Sequence, residues 1–353
     1  MKSSPLDPSA WTPIAQVVNT SLDYHGKYHD YSADVPATQY PVERYSPSRN
    51  LFDFHSWGLT SPPPNLGFGL ISNDKMGLAD FNASVTYNTN EHTTGFETGF
   101  SYNRFYPVLS FGAADQNRSL TFLNGGENWN ERTASAGFYV PLNLSHGYYS
   151  TGLSIGVGME TISRAGGGLL PLTYGLAFSR TRNSSPRDLA PWWGQFIQFN
   201  YRQTAWANNY TANYLLADGR FAPPGLARHR SIVLESGYER QTGNYYFLSQ
   251  LLFPRGYDAV IGPNITRPSG NYEVPLFYPD FAISQLLYIK RVSSNVFYGY
   301  GKVTGTQFRS TGVEPLFDAN LLRFPFTFRF GVRYAYLLDY RSSRVQPFLA
   351  FGW

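Results

Sequence analysis

Residues 326–336 read FTFRFGVRYAY, and the alternation in this stretch constrains the fold more than any other feature of the chain. Phe326, Phe328, Phe330, Val332, Tyr334 and Tyr336 fall on one parity; Thr327, Arg329, Gly331, Arg333 and Ala335 fall on the other. Successive side chains of a strand point to opposite faces, so the stretch predicts a strand with one apolar and one polar face. Two kinds of sheet accept such a strand. In a soluble sheet the apolar face packs on a core. In a membrane barrel it meets lipid, and the polar face lines a lumen.

The same pattern recurs. TGFETGFSYN sets Phe96, Phe100 and Tyr102 against Gly95, Glu97, Gly99 and Ser101, and FIQFNYRQT sets Ile197, Phe199 and Tyr201 against Gln198, Asn200 and Arg202. SIVLESGYERQ sets Ile232, Leu234 and Tyr238 against Glu235, Gly237 and Glu239. None of these strands is apolar on both sides, as a central parallel strand is, and no segment keeps a helical period over three turns. Composition favours the membrane barrel over a soluble β-sandwich or propeller, which it fits less well. Charged residues are 15 % of the chain, against about 25 % in soluble domains. Aromatics reach 17 %, mean hydropathy is −0.31, and no apolar run reaches the roughly 18 residues of a spanning helix. A barrel reconciles these values, because only alternate residues need be apolar. The expectation is an all-β transmembrane antiparallel β-barrel of about 16 strands over residues 50–353. Residues 1–49, interrupted by proline in PLDPSAWTP, DVPATQYP and YSPSRN, read as an extension or linker. Trp129, Tyr148, Tyr149, Trp192, Trp193, Trp206, Tyr245 and Tyr246 fall near predicted strand ends, where aromatic girdles are expected.

Several chemistries have little support. Cysteine is absent, which excludes disulfides, thiolate catalysis and Cys-based zinc sites. The net charge is +4 with Lys and Arg scattered, so no nucleic-acid partner is expected. GLSIG matches G-x-S-x-G, but Ser154 continues into a Gly-rich strand rather than a strand–turn–helix elbow. His25 and His29 lack an obvious third metal ligand, and AGGGLL precedes no helix that would cradle phosphate. We expect no enzyme activity, no cofactor and no metal. MKSSPLDPSAWTPIAQ has no apolar signal core, so an exported protein is expected here in mature or truncated form. The chain ends VQPFLAFGW; Phe351 and Trp353 share a parity and read as the signal of a closing strand with a native C-terminus.

LLFPRGY, residues 251–257, resembles the V/L-R-G-F/Y motif of the BamA/TamA-type barrel family, also called the bacterial surface antigen family. NYEVPLFYPD (271–280), LLYIKRVSSNVFYGYG (286–301) and GVEPLFDANLLRFPFTFRFGVRYAY (312–336) then keep the order of segments found there. YSPSRNLFDFHSWG (45–58) resembles the barrel entry of relatives with a β-propeller ahead of the barrel. The resemblance implies that Arg255, Gly256 and Tyr257 sit on a long extracellular loop folded into the lumen, with Arg255 against the inner wall. One departure follows: Gly299 stands where the family often has the Asp that pairs with the loop arginine. A buried Arg255 needs another partner, and Glu273, Glu314, Glu235 and Glu239 are candidates on lumen-facing parities. Arg329, Arg333 and Arg202 are expected to face the lumen as well. The resemblance further implies an outer-membrane protein, surrounded by lipid and lipopolysaccharide, that inserts, assembles or translocates polypeptides. Its first and last strands would pair weakly, and a polypeptide substrate or partner subunits would be its partners. The length leaves no room for the periplasmic modules that deliver substrate, so an excised barrel, a partner-dependent subunit or a relative with another task is expected. The alternative is a passive pore in which Arg329, Arg333, Arg202, Glu235 and Glu239 set ion preference. A soluble β-rich binding protein comes third.

Overall fold

The computed structural model describes residues 54–350 apart from 124, 186 and 322–326. The extension at 1–49, the pair Phe351 and Trp353, and Phe326 lie outside the described residues. The strands are β1 (Phe54–Ser61), β2 (Asn65–Asn73), β3 (Ala79–Asn88), β4 (Thr93–Tyr102), β5 (Val108–Phe122), β6 (Gly125–Asn143), β7 (Tyr149–Arg164), β8 (Gly167–Arg182) and β9 (Gly194–Asn208). They continue with β10 (Ala212–Ala222), β11 (Ser231–Gly243), β12 (Asn264–Phe277), β13 (Phe281–Ile283), β14 (Leu287–Val303), β15 (Thr306–Leu321), β16 (Phe328–Leu337) and β17 (Ser342–Ala350). Apart from β12 and β13, each pairs antiparallel with its sequence neighbour, from β1 with β2 to β16 with β17. The short β13 prolongs β12 past a break at residues 278–280, and both pair with β14. Among the described residues, sixteen long strands therefore form one sheet, matching the expected number.

Register places like faces opposite one another. Phe330 faces Phe317 and Tyr174 faces Tyr201, with ring centroids 5.7 and 6.3 Å apart. In β16, Val332 and Tyr334 are each 45 % exposed, whereas Ala335 and Leu337 are 0 % and 2 % exposed. The apolar parity of the strands thus points outward, and the buried parity is the mixed one. Among the described residues, none covers these outward side chains of β16. Only a lipid environment suits that face.

The connections divide by rim. At one rim they are tight (62–64, 89–92, 123–124, 165–166, 209–211, 304–305 and 338–341), apart from the long connection 244–263. At the other they are longer, as in 183–193, 223–230 and 278–286. The long connection, hereafter the loop, explains the curvature. Tyr245 reaches Glu131 on β6, Gln250 reaches β9, Arg255 reaches Glu314 on β15, and Asp258 reaches Arg344 on β17. One short segment can touch strands so far apart in order only if the sheet curls around it. The result is a transmembrane β-barrel with an inward-folded loop. Its apolar core lies inside the lumen, where loop residues Tyr245, Phe247 and Leu251 pack with Tyr214, Leu216, Ile265 and Phe308 of the wall. Tyr245 and Trp129 are therefore interior, not girdle residues: Trp129 stacks under Arg164 and donates to Glu131.

Candidate functional site

The outer half of the loop lies on β14, β15 and β16. Arg255 Nε stands 3.3 Å from Glu314 Oε1, its Nη1 donates to Asn271 Oδ1, and its guanidinium covers the Phe297 ring at 4.7 Å. Glu314 is shared: Arg333 Nε and Asn295 Nδ2 also donate to it. Gly256 has φ +88°, and a Cβ there would lie 2.8 Å from both Ala335 Cβ and Leu337 Cδ2. Both the left-handed backbone and the close approach require glycine. Gly301 is needed for a related reason, since a Cβ would sit 2.6 Å from Pro254 Cγ. Gly299 lies under the same proline, so the residue that departs from the family pattern leaves room for this loop.

Tyr257 fastens the tip to the rim. Its hydroxyl donates to Arg309 O at 2.8 Å and lies 3.1 Å from Asp339 Oδ2. Burial, and then the bond to Asp339, push this hydroxyl up to about 12. Burial works against ionisation of Asp339, but hydrogen bonds from Arg309 outweigh it and hold the carboxyl below its ordinary value.

The inner half, or root, is anchored on the opposite wall. Arg118 on β5 is 1 % exposed. It binds Glu91 in the 89–92 turn at 2.9 Å and Glu131 on β6 at 2.8 Å, and donates to Tyr245 Oη and Tyr246 O. Tyr245 in turn donates to Glu131 Oε2 at 2.8 Å. Further along, Phe247 N donates to Gln241 Oε1, Ser249 Oγ to Glu239, and Asn90 Nδ2 to Leu251 O. Gln198 and Asn200 of β9 both donate to Gln250 Oε1. Removing one partner from a buried ion cluster costs about 3–5 kcal/mol, and each large apolar side chain drawn out of the core about 1.5–3 kcal/mol. The root is thus held far more firmly than the tip.

Between the root and the wall from β4 to β9 lies a cavity of about 960 Å³. It exists because that wall carries small inward residues, among them Gly112, Ala114, Ser135 and Ser179. Four of its charges pair, Arg202 with Glu160 at 3.5 Å and Arg267 with Glu235 at 2.9 Å, while Glu97 accepts from Ser61, Asn65 and Ser84 instead. Among the described residues no three His, Asp or Glu side chains converge as a metal site requires.

Of the four carboxylates considered for Arg255, Glu314 is the one in reach. Glu235 serves Arg267 and Arg220, Glu273 accepts from Ser293 and lies 3.4 Å from Arg329, and Glu239 accepts from Ser249, Gln241 and Tyr214. Arg329, Arg333 and Arg202 all point inward; Arg329 binds Asp318 at 2.7 Å. Ser154 lies within β7, opposite Pro141 and Ala177. Sequence reasoning missed Arg118, Glu91 and Glu131, and placed Tyr245 in a membrane girdle. The one available signal was an arginine and a glutamate on the inward parity of consecutive strands.

No family model matches the sequence, and no curated protein matches it. Among solved structures, the chain is similar to BamA from Haemophilus ducreyi lacking POTRA domains 1–3, with 12 % identity and a TM-score of 0.53 over 83 % of this chain and 68 % of that one. It is also similar to CdiB from Escherichia coli, with 12 % identity and a TM-score of 0.51 over 82 % of this chain and 60 % of that one. At that identity the likeness carries the fold alone: this chain has a β-barrel fold similar to those of BamA and CdiB.

Proposed function

We infer that the protein is an outer-membrane barrel that moves polypeptides across or into the membrane. The observation that carries this reading is the Arg255–Gly256–Tyr257 tip seated against β14–β16 through Glu314, in a barrel with the fold of BamA and CdiB. With the loop's rim facing outward, as the sequence resemblance implies, the 183–193 connection lies on the periplasmic side. There Arg291 of β14 donates to the carbonyls of Arg187 and Asp188, tying that connection to β14. Lipopolysaccharide and lipid surround the aromatic outer face, and an unfolded chain is the substrate.

A solute pore is the second reading, favoured by the open cavity of about 960 Å³. Planar-bilayer recording on the refolded chain separates the two. A polypeptide transporter gives small, flickering current that an unfolded hydrophilic polypeptide interrupts, and the current grows in Arg255→Ala. Large steady current, indifferent to the polypeptide and to the substitution, overturns this reading in favour of the pore.

A further inference from the structure

The outward face of β7, β8 and β9 changes character in rows toward the rim opposite the loop. Register aligns Ile155, Leu176 and Phe199 in one row and Leu153, Phe178 and Ile197 in the next. The row after them holds Thr151 and Arg180, and the last holds Tyr149 and Arg182. About ten residues of a strand tilted by roughly 40° cross the apolar band of about 25 Å. Leu170, Leu172, Tyr174, Leu176 and Phe178 fill that length on the outward parity of β8. Arg180 and Arg182 therefore stand just past the band, at headgroup level.

Both guanidiniums are held by rings. Arg180 lies over Tyr149 at 4.5 Å and Arg182 over Trp192 at 4.6 Å. Backbone bonds keep the aromatic segments beside them: Arg182 N donates to Trp193 O, and Asn183 N to Tyr148 O. Stacking occupies the face of a guanidinium and leaves its N–H edge open. Asp188, the one acid of the adjoining 183–193 connection, is engaged by His229 at 2.9 Å. Among the described residues no ion pair includes Arg180 or Arg182. Two residues apart on one face, they sit about 6.8 Å from each other along the strand. Two cations that close repel, and anions bound to both relieve the repulsion.

We propose that this cluster is a binding site for a phospholipid with two phosphate groups, of the diphosphatidylglycerol class. Each arginine takes one phosphate bidentately, and the acyl chains lie along the apolar rows. The rings on either side suit the same level, since amphipathic aromatics favour the headgroups; Trp192 is 51 % exposed there. The inference needs the membrane barrel and is independent of the transport reading. The orientation given above enters only to place the lipid in the periplasmic leaflet. Arg230, which donates to Tyr272 Oη, and exposed Lys290 on β14 bring the same charge to this rim from other strands.

The test is native mass spectrometry of the detergent-refolded chain titrated with diphosphatidylglycerol. The unaltered chain is expected to bind one such lipid ahead of phosphatidylglycerol, which carries one phosphate, and of phosphatidylcholine. Arg180→Gln/Arg182→Gln is expected to weaken that first adduct roughly tenfold or more, whereas Arg230→Gln/Lys290→Gln leaves it unchanged. Arg180→Lys/Arg182→Lys keeps both charges but loses bidentate binding, and its affinity is expected to fall between the two. Equal weakening in the two glutamine pairs overturns the site in favour of diffuse rim charge. Lysines that bind as tightly as the arginines overturn the stacked geometry, a comparison that stands even if the first glutamine pair fails to fold. Phosphatidylglycerol that binds as tightly as diphosphatidylglycerol overturns the two-phosphate ligand.

Discussion

Arg118 and Arg255 are both lumenal arginines on glutamates, yet their removal has different consequences. Arg255→Ala leaves Glu314 with Arg333 and Asn295, and only the half-buried guanidinium is lost. Arg118→Ala strands Glu91 and Glu131, whose side chains are both almost fully buried. The expected costs are about 1 kcal/mol for Arg255→Ala, as for a single net hydrogen bond, and about 3–5 kcal/mol for Arg118→Ala. Urea midpoints of the two variants in vesicles measure the difference; equal midpoints would refute the division of the loop into root and tip. Gly256→Ala should act on the tip alone. Its backbone strain costs about 1–3 kcal/mol, and the contacts with Ala335 and Leu337 must open. Limited proteolysis at the loop is expected to quicken while the barrel band on a gel stays heat-modifiable. The R-G-Y motif was legible at this scale because its residues are adjacent in sequence. Its partner was not, since Glu314, Glu273, Glu235 and Glu239 all share the inward parity, and only register separates them.

Strands were the most legible elements. The alternation in β16 gave its faces directly, because parity in a strand fixes direction whatever the surroundings. That yields a prediction about solvent. Val332 lies on the outward face of β16, so Val332→Arg should cost about 2–4 kcal/mol in a bilayer. Folding yield into vesicles reports it, and an unimpaired yield would return the outward aromatics to a soluble core. The β16–β17 turn was less legible. Asp339 there accepts from Arg309 and from Tyr257 of the loop, a contact joining three elements. Its carboxyl pKa is lowered in the folded state, so this stabilisation is present above the ordinary carboxylate value of about 3.9 and is lost as pH falls through the folded value. Acidification below about pH 4 should free the tip before the barrel unfolds. Labelling of a thiol introduced by Pro254→Cys is expected to accelerate over that range, and Asp339→Asn to label fast at neutral pH as well.

At the scale of the whole molecule, the loop is part of the barrel's core rather than an accessory to it. This was the part least legible from sequence. Arg118 meets Tyr245 across 127 residues, and nothing local to either marks the contact. The aromatic at 245 even suggested a membrane girdle, because rings near strand ends look alike until the loop's path is known. Inward residues such as Tyr214, Leu216, Ile265 and Phe308 are apolar on a parity that should be polar in a water-filled barrel. They make sense only against Phe247 and Leu251. If so, a chain whose residues 246–260 are replaced by a short Gly/Ser linker should lose more than a plug. Its urea midpoint should fall, and its m-value should fall with it, because less surface is buried in the native state to be exposed on unfolding. A variant with a lower midpoint but an unchanged m-value would mean that the loop rests on a preformed core. A fall in both means that loop and wall fold as one cooperative unit, and that the cavity beside the root is a fixed feature of that unit.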